Sequence, residues 1–223
     1  MIMIKNKPYK AVIFDMDGTL LNTLKDITNS MNRSLRHFNY PVHNIATYKK
    51  FIGDGIDTLA YRVLPIKQRN EKNVQKLISL FSEYYDRHWC DETELYPGIS
   101  ALLNCLKKHS VKMAILTNKP HDFAIEMSNF FLSKWYFSKI LGANERMQKK
   151  PAPEMAYNLC KDLQIEPKES IFIGDSDIDI KTAKASGMLP VGVAWGFRPI
   201  KELKDSGANY VINNPLEFVR LIN

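Results

Sequence analysis

Two carboxylates near the start of the chain have the spacing of a paired acid site. The apolar run Val12–Phe14 leads directly into Asp15, and Asp17 and Gly18 follow. Residues two apart in a strand point to the same face, so both carboxylates lie close together. Burying carboxylates costs free energy unless a positive charge compensates them, and a divalent cation that also binds a phosphate group is the simplest source of that charge. The pattern favours phosphoryl transfer, with a polar turn after an edge strand as the alternative.

The roles within this segment follow from its chemistry. Asp15 is the candidate nucleophile, because an aspartate that attacks phosphorus splits one hard step into two. Asp17 is the candidate acid and base, protonating the leaving alcohol and later deprotonating the attacking water. Gly18 permits a sharp turn, which brings backbone N–H groups close to a phosphate.

A second acid cluster follows another apolar run, Ile171–Ile173. Magnesium prefers oxygen ligands from one or two carboxylates, water and phosphate. Asp175 would supply the second metal carboxylate, opposite Asp15. Asp179 lies four residues further on, on the same face of a helical first turn, where it would anchor Lys150 or a water of the metal. A charged helix cap is the alternative, but two such clusters after two apolar strands favour a metal site.

Two further segments carry groups suited to phosphate. Thr117 and Asn118 end an apolar run and offer a hydroxyl and an amide to phosphate oxygens, although Asn118 also fits a helix cap. Lys150 would offset the charge of a phosphate dianion beside the two carboxylates. An exposed basic loop is the alternative for Lys150 and its neighbour Lys149.

The elements that must position these residues alternate between strands and helices after residue 97. Between Leu20 and Tyr96 we expect helices only, as an insertion of about seventy residues. The alternation predicts an α/β fold whose parallel sheet has helices on both faces, with the insertion at the carboxyl edge where such folds bind ligands. The predicted strands are 10–15, 111–117, 137–141, 170–174, 190–194 and 210–212, and the predicted helices are 24–38, 55–64, 71–88, 123–132, 154–163, 177–186 and 201–205.

Composition excludes several classes of protein. The chain has 223 residues, 45% of them hydrophobic, and a net charge of +7 without a run of five like charges. We therefore expect no nucleic-acid partner and a basic surface that is merely solvated or weakly attracts anions. No apolar stretch approaches the ~18 residues of a membrane span, so we expect no membrane partner. Three scattered cysteines without a CxxC pattern favour reduced thiols and a cytoplasmic location.

Together the four segments resemble the haloacid dehalogenase superfamily in order and spacing. The residues from Asp15 to Thr19 look like its first motif, Thr117 its second, Lys150 its third, and the residues from Gly174 to Asp179 its fourth. The resemblance implies a Rossmann-like core domain of residues 1–20 and 95–223. It also implies an inserted all-α cap domain, residues 21–94.

Within that superfamily the chain most resembles the phosphoglycolate phosphatase branch. The residues that carry this resemblance are Tyr96-Pro97-Gly98 and the segments around Thr117 and Lys150. The resemblance implies that Asp15 forms a phosphoaspartate and that Asp17 is the acid and base. It implies Mg²⁺ bound by Asp15, the main-chain carbonyl of Asp17, and Asp175.

The resemblance also assigns the phosphoryl group to Thr117, Asn118 and Lys150. In the cap, Gly53 and Asp54 are expected to contact the active site on closure together with Gly55, and Arg62 is a candidate partner for a substrate anion. The cysteine pattern and this family together predict a cytoplasmic monomer or homodimer that acts on a small phosphorylated metabolite.

Phosphoglycolate is the favoured substrate, and hydrolysis of a small phosphate monoester is the favoured reaction. A phosphosugar mutase, a pyrophosphatase and a nucleotidase of the same superfamily are alternatives, although Thr117-Asn118-Lys119-Pro120 favours a phosphatase. A remote alternative is an inactive protein that binds a phosphorylated metabolite, but both Asp15 and Asp17 are present.

Overall fold

Six parallel strands form the central sheet of the protein. A computed structural model describes residues 1–5, 7–144 and 148–222. The sheet order is β10-β9-β8-β3-β6-β7, with β3 and β8 at the centre. These strands are β3 (Ala11–Phe14), β6 (Lys112–Pro120), β7 (Lys139–Ala143), β8 (Ser170–Gly174), β9 (Leu189–Val193) and β10 (Tyr210–Ile212). The predicted α/β fold with a parallel sheet is confirmed.

The central strands are apolar because both faces of the sheet are covered. All four residues of β3 are buried. Val12 and Phe14 pack on one side, whereas Ala11 and Ile13 pack in a separate cluster on the other side. Successive side chains of a strand point to opposite faces, so a doubly covered strand needs a continuous apolar run.

Helices cover both faces of this sheet, and their bounds lie close to the predicted ones. Helices α7, α8 and the strand β8 begin and end where the sequence predicted. The helices outside the insertion are α5 (Ile99–Lys108), α6 (His121–Phe131), α7 (Glu154–Leu163), α8 (Asp177–Ser186), α9 (Ile200–Asp205) and α10 (Pro215–Ile222). A short antiparallel pair, β1 (Ile2–Ile4) and β2 (Lys7–Tyr9), precedes the sheet.

The insertion after β3 consists mainly of helices, as the cap of the predicted fold class requires. It contains α1 (Leu24–His37), α2 (Ile45–Phe51), α3 (Ile56–Val63) and α4 (Glu71–His88). Helix α2 was not predicted. Thr23 precedes α1, but its hydroxyl makes no capping hydrogen bond. None of the described helices is both long enough and apolar enough to cross a bilayer.

Two very short strands join the insertion to the sheet. Strand β4 (Leu21–Asn22) pairs antiparallel with β5 (Glu94–Leu95). The expectation of no strand between Leu20 and Tyr96 was therefore wrong. Two-residue strands carry almost no pattern of their own, because only a hydrogen-bonding partner some seventy residues away defines them.

Candidate active site

The carboxyl ends of β3 and β8 bring the first carboxylate into place. Asp15 directly follows β3, and its N–H donates to the carbonyl of Ile173 in β8 at 2.9 Å. Its side chain is buried, and Oδ1 accepts a hydrogen bond from Nζ of Lys150 at 2.9 Å. The two residues are 135 positions apart in sequence, so the fold alone brings this pair together.

Lys150 lies between two buried carboxylates. Its Nζ also donates to Oδ1 of Asp179 at 2.6 Å, and its side chain is only 2% exposed. The other oxygen of Asp179 accepts hydrogen bonds from the N–H and the hydroxyl of Ser176, at 3.0 and 2.7 Å. This capping box at the start of α8 fixes Asp179, which in turn holds the ammonium beside Asp15.

A third carboxylate completes the cluster. Oδ2 of Asp175 accepts the N–H of Phe197 at 2.7 Å, and Oδ1 accepts the hydroxyl of Thr19 at 3.3 Å. Gly18 makes this approach possible, since a Cβ at that position would lie 2.7 Å from Cγ of Asp175. Its φ of +84° is also one that other L-residues rarely adopt.

The charges of the cluster do not balance. Burial raises the pKa of Asp15 to about 6, although Lys150 opposes that shift. Burial also raises the pKa of Asp175, and the charges of Asp179 and Asp15 raise it further. For Lys150, burial lowers the pKa, but Asp15 and Asp179 outweigh it and hold the pKa above its usual range. One cation thus faces three carboxylates.

The donor set fits a hard divalent cation. One oxygen each from Asp15, Asp175 and Asp179 lie within 4.8 Å of one another. Carboxylate oxygens are the ligands that Mg²⁺ prefers. Asp179 already has Lys150 and Ser176 as partners, so Asp15 and Asp175 are the side chains best placed to hold a metal. A second positive charge here would also compensate the excess of carboxylates.

Asp17 lies on the cavity side of this cluster and pairs with a different lysine. Nζ of Lys119 lies 3.2 Å from Oδ1 of Asp17 and donates to the hydroxyl of Tyr85, in helix α4, at 2.9 Å. Burial raises the pKa of Tyr85 to about 12. Burial lowers the pKa of Lys119, but the charge of Asp17 and the contact with Tyr85 outweigh it and raise the pKa. Neither Lys119 nor Tyr85 was predicted from the sequence as a site residue.

The predicted phosphate-binding residues at the end of β6 lie beside the cluster. The amide oxygen of Asn118 accepts the N–H of Lys150 at 2.9 Å. Its amide nitrogen donates to the carbonyls of Lys150 and Gly53, at 3.0 and 3.1 Å. Thr117 lines the same cavity as Asp15. Asn118 thus ties the Lys150 loop to the insertion, and phosphate contacts by Thr117 and Asn118 stay predictions.

The predicted cap residues divide into two groups. Gly53 and Gly55 line the cavity. Asp54 does not, because its carboxylate pairs with Nη1 of Arg62, which also donates to the carbonyl of Phe51. The structure therefore does not bring Arg62 to the cavity. The N–H of Gly18 donates within its own turn, to the carbonyl of residue 21.

A cavity of about 180 Å³ lies between the carboxyl ends of the strands and the helices of the insertion. Asp15, Asp17 and Asp175 form its polar floor. Its other walls are mostly apolar and come from helices of the insertion, from α6 and from the loop after β9. A small molecule in this cavity would contact Asp15, the candidate nucleophile.

Comparison with known proteins decides the family. The family model for haloacid dehalogenase-like hydrolases matches residues 12–193. The chain belongs to the haloacid dehalogenase-like hydrolases. The match spans the residues from β3 to β9, which include the predicted motifs of Asp15, Thr117, Lys150 and Asp175, and it confirms the family prediction.

Relatives of this hydrolase point to one branch. It is 30% identical to the phosphoglycolate phosphatase of Haemophilus influenzae strain 86-028NP, over 97% of this chain and 100% of the relative. It is 32% identical to phosphoglycolate phosphatase 1 of Pseudomonas aeruginosa, over 92% of this chain and 76% of the relative.

Solved structures show the same fold. A predicted phosphoglycolate phosphatase of Haemophilus somnus superimposes with a TM-score of 0.90 at 29% identity, over 96% of this chain and 98% of the other. A predicted phosphatase of Clostridium acetobutylicum gives 0.85, also at 29% identity, over 96% and 98%. The predicted α/β fold with an inserted helical cap is therefore confirmed.

Proposed function

We propose that this hydrolase is a phosphatase that cleaves a small phosphate monoester through a phosphoaspartate, and that its substrate is phosphoglycolate. One observation carries the reaction: Asp15, Asp17 and Asp175 line one cavity, and Nζ of Lys150 lies 2.9 Å from Oδ1 of Asp15. The substrate is supported by full-length relatives that are phosphoglycolate phosphatases.

The first chemical step transfers the phosphoryl group to the protein. A carboxylate oxygen of Asp15 attacks phosphorus, and the bond between phosphorus and the ester oxygen breaks. Asp17 gives a proton to that leaving oxygen, so the alcohol departs neutral. Lys150, 2.9 Å from Oδ1 of Asp15, holds the nucleophile in place and offsets the charge of the phosphoryl oxygens.

The second step hydrolyses the phosphoaspartate. Asp17 takes a proton from a water molecule as that water attacks phosphorus. The bond between phosphorus and the Asp15 oxygen then breaks, which releases inorganic phosphate and restores the free carboxylate. Asp17 ends the cycle protonated, as it began.

Asp15, Asp175 and the main-chain carbonyl of Asp17 would hold Mg²⁺. When bound, the ion supplies positive charge beside the phosphoryl oxygens. The excess of buried carboxylates over cations supports this assignment. Asp179 is not proposed as a metal ligand; its proposed role is to orient the ammonium of Lys150.

Residues 21–94 are proposed as a cap domain over a core of residues 1–20 and 95–223. Closure of the cap would exclude bulk water and place Gly53 over the phosphate site. The β4–β5 pair is the proposed crossing point, since both strands that enter and leave the insertion meet there. Gly18, Thr117 and Asn118 complete the proposed set of phosphate-binding residues, and contact of Asp54 with the active site is proposed only for the closed cap.

The remaining proposals concern the setting of the enzyme. Its three cysteines, Cys90, Cys105 and Cys160, are free thiols, which supports a cytoplasmic location. Its partner is a small phosphorylated metabolite, and it acts as a monomer or homodimer.

The test is phosphatase turnover of phosphoglycolate by the wild type and by Asp15→Asn, with and without EDTA. The substitution should lower kcat by several orders of magnitude while the far-UV circular dichroism spectrum stays unchanged. EDTA should abolish wild-type turnover, and added Mg²⁺ should restore it. Substantial activity of the variant would reject Asp15 as the nucleophile, and turnover in EDTA would reject the metal.

A further inference from the structure

Lys119 is a buried cation that the proposed reaction does not yet use. It extends from β6 into the cavity that contains Asp15 and Asp17, and its side chain is only 4% exposed. We propose that Lys119 binds the carboxylate of the substrate, and thereby selects phosphate esters of short hydroxy acids. This inference rests on the proposed function and assigns a residue to its specificity.

The ammonium of Lys119 has a hydrogen-bond donor to spare. Its nitrogen lies 3.2 and 3.4 Å from the two oxygens of Asp17, and 2.9 Å from the hydroxyl of Tyr85. An ammonium group has three N–H donors. Among the described residues, Asp17 and Tyr85 account for two of them. A substrate carboxylate in the cavity would accept the third.

The position of Lys119 matches the position of the leaving group. Asp17 protonates the oxygen that leaves phosphorus, so this oxygen must lie beside Asp17. In a phosphorylated two-carbon hydroxy acid, a single methylene separates that oxygen from the carboxylate. A cation in direct contact with Asp17 is therefore placed to reach the carboxylate of the same substrate.

Because the walls of the cavity are mostly apolar, a substrate carboxylate needs this cation in order to bind there. The walls include Ile56 and Leu59 of α3, Ile78 and Phe81 of α4, and Phe123 of α6. Burying a carboxylate among apolar side chains is costly unless a cation meets it. The same walls offer few partners for the hydroxyls of a sugar or a nucleoside. The cavity thus favours a small leaving group with one negative charge.

Arg198 is the other cation among the described residues that line the cavity, but both of its Nη atoms donate hydrogen bonds elsewhere, and only Nε lacks a hydrogen-bond partner. Nη1 and Nη2 donate to the carbonyls of Lys49 and Ile52, at 2.7 and 3.0 Å. Its Nε lies 3.3 Å from the carboxylate of Glu202. Arg198 therefore connects the end of α2 to the sheet domain, whereas Lys119 contacts the acid that faces the leaving group.

The experiment compares two esters that differ only in charge. We would measure kcat/KM for 2-phosphoglycolate and for 2-phosphoglycolamide, whose neutral amide replaces the carboxylate. A charge-assisted hydrogen bond predicts that the wild type prefers the carboxylate at least about tenfold. In Lys119→Met this preference should fall to about one. Lys139→Met, which removes a lysine paired with Asp162 at the surface, should keep the wild-type preference.

The ratio separates recognition from positioning. If Lys119 only orients Asp17, Lys119→Met will slow both esters equally and keep the preference, which overturns the inference. A wild-type preference near one also overturns it, and that measurement needs no variant to fold. If the wild type hydrolyses the amide ester in an Asp15-dependent way without preferring the carboxylate, the proposed phosphatase stands and only the role of Lys119 fails. If neither ester is hydrolysed, both proposals fail.

Discussion

Replacing Lys150 by methionine removes one charge from the centre of the site and keeps most of the side chain's volume. Nζ of Lys150 lies 2.9 Å from Asp15 and 2.6 Å from Asp179, and the side chains of these three residues are 2%, 11% and 0% exposed. The variant leaves both carboxylates buried without their cation. We expect it to lose stability in the metal-free protein and to lose turnover in the presence of Mg²⁺.

The size of both effects follows from this burial. Breaking a buried ion pair by removing one partner costs about 3–5 kcal/mol. For a protein of this length, one kcal/mol shifts Tm by about 2–4 °C, so Lys150→Met should lower Tm by about 6–20 °C in EDTA. Removing a positioned charge from a transition state costs about 10²–10³ in kcat, which steady-state phosphatase kinetics would measure.

A matched control removes a lysine of the same sheet domain. Nζ of Lys139 lies 2.8 Å from Asp162, but the two side chains are 43% and 48% exposed, so Lys139→Met should cost less than about 1 kcal/mol and leave kcat unchanged. Adding Asp179→Asn to Lys150→Met should recover part of the lost stability, because one unpaired carboxylate is neutralised. If the Tm of Lys150→Met is lowered no more than that of the Lys139→Met control, the proposed electrostatic role of Lys150 is wrong.

Three further substitutions, one of them a control, test the frame of the site and of the insertion. Gly18→Ala should lower kcat at least about tenfold and cost about 1–3 kcal/mol, because its Cβ would meet Asp175. Gly187 has φ +77° and open space around it, so Gly187→Ala should lower stability and leave kcat unchanged. Equal kcat values for the Gly18 and Gly187 variants would contradict the role of Gly18. Asp26→Asn should lower the free energy of unfolding by about 1–3 kcal/mol, because the Asp26 carboxylate accepts the N–H and the hydroxyl of Thr93 where the chain leaves the insertion. Urea unfolding measures this change, and an unchanged midpoint would refute the contribution of Asp26.

The sequence predicts elements well where local chemistry marks their ends. Helix α4 was predicted from Glu71 to His88, and in the structure it begins after Asn70, whose side chain accepts the N–H of Asn73. Helix α8 was predicted because an apolar strand and a glycine precede its acidic first turn. Both helices follow from residues within a few positions of their boundaries.

Other elements depend on contacts that no local pattern shows. Strands β4 and β5 exist only because Leu21 pairs with Leu95. The short strands β1 and β2 were also missed, because strands of three residues carry little pattern of their own, although they pair with each other. Helices α5 and α10 were also not predicted, although both have an apolar face, and these faces pack against each other.

The site residues likewise divide into those that the local sequence pattern predicts and those that only the fold brings together. The fold brings together Asp15 and Asp175, each of which directly follows an apolar strand, and Lys150, which lies in the loop before α7. The contact between Lys119 and Tyr85 could not be predicted, since it joins the end of β6 to a helix of the insertion. Lys119 stands next to the predicted Asn118, but the alternative interpretation of that segment was a helix start, in which Lys119 has no role.

Direct detection of a phosphoryl group on Asp15 tests the central claim most directly. The enzyme would be mixed with phosphoglycolate and Mg²⁺, quenched in acid within milliseconds, digested, and analysed by mass spectrometry. The account predicts a phosphorylated peptide that contains Asp15, appears before phosphate release reaches its steady rate, and is absent from Asp15→Asn. Turnover at the full wild-type rate with phosphate found on another residue, or on none, would contradict it.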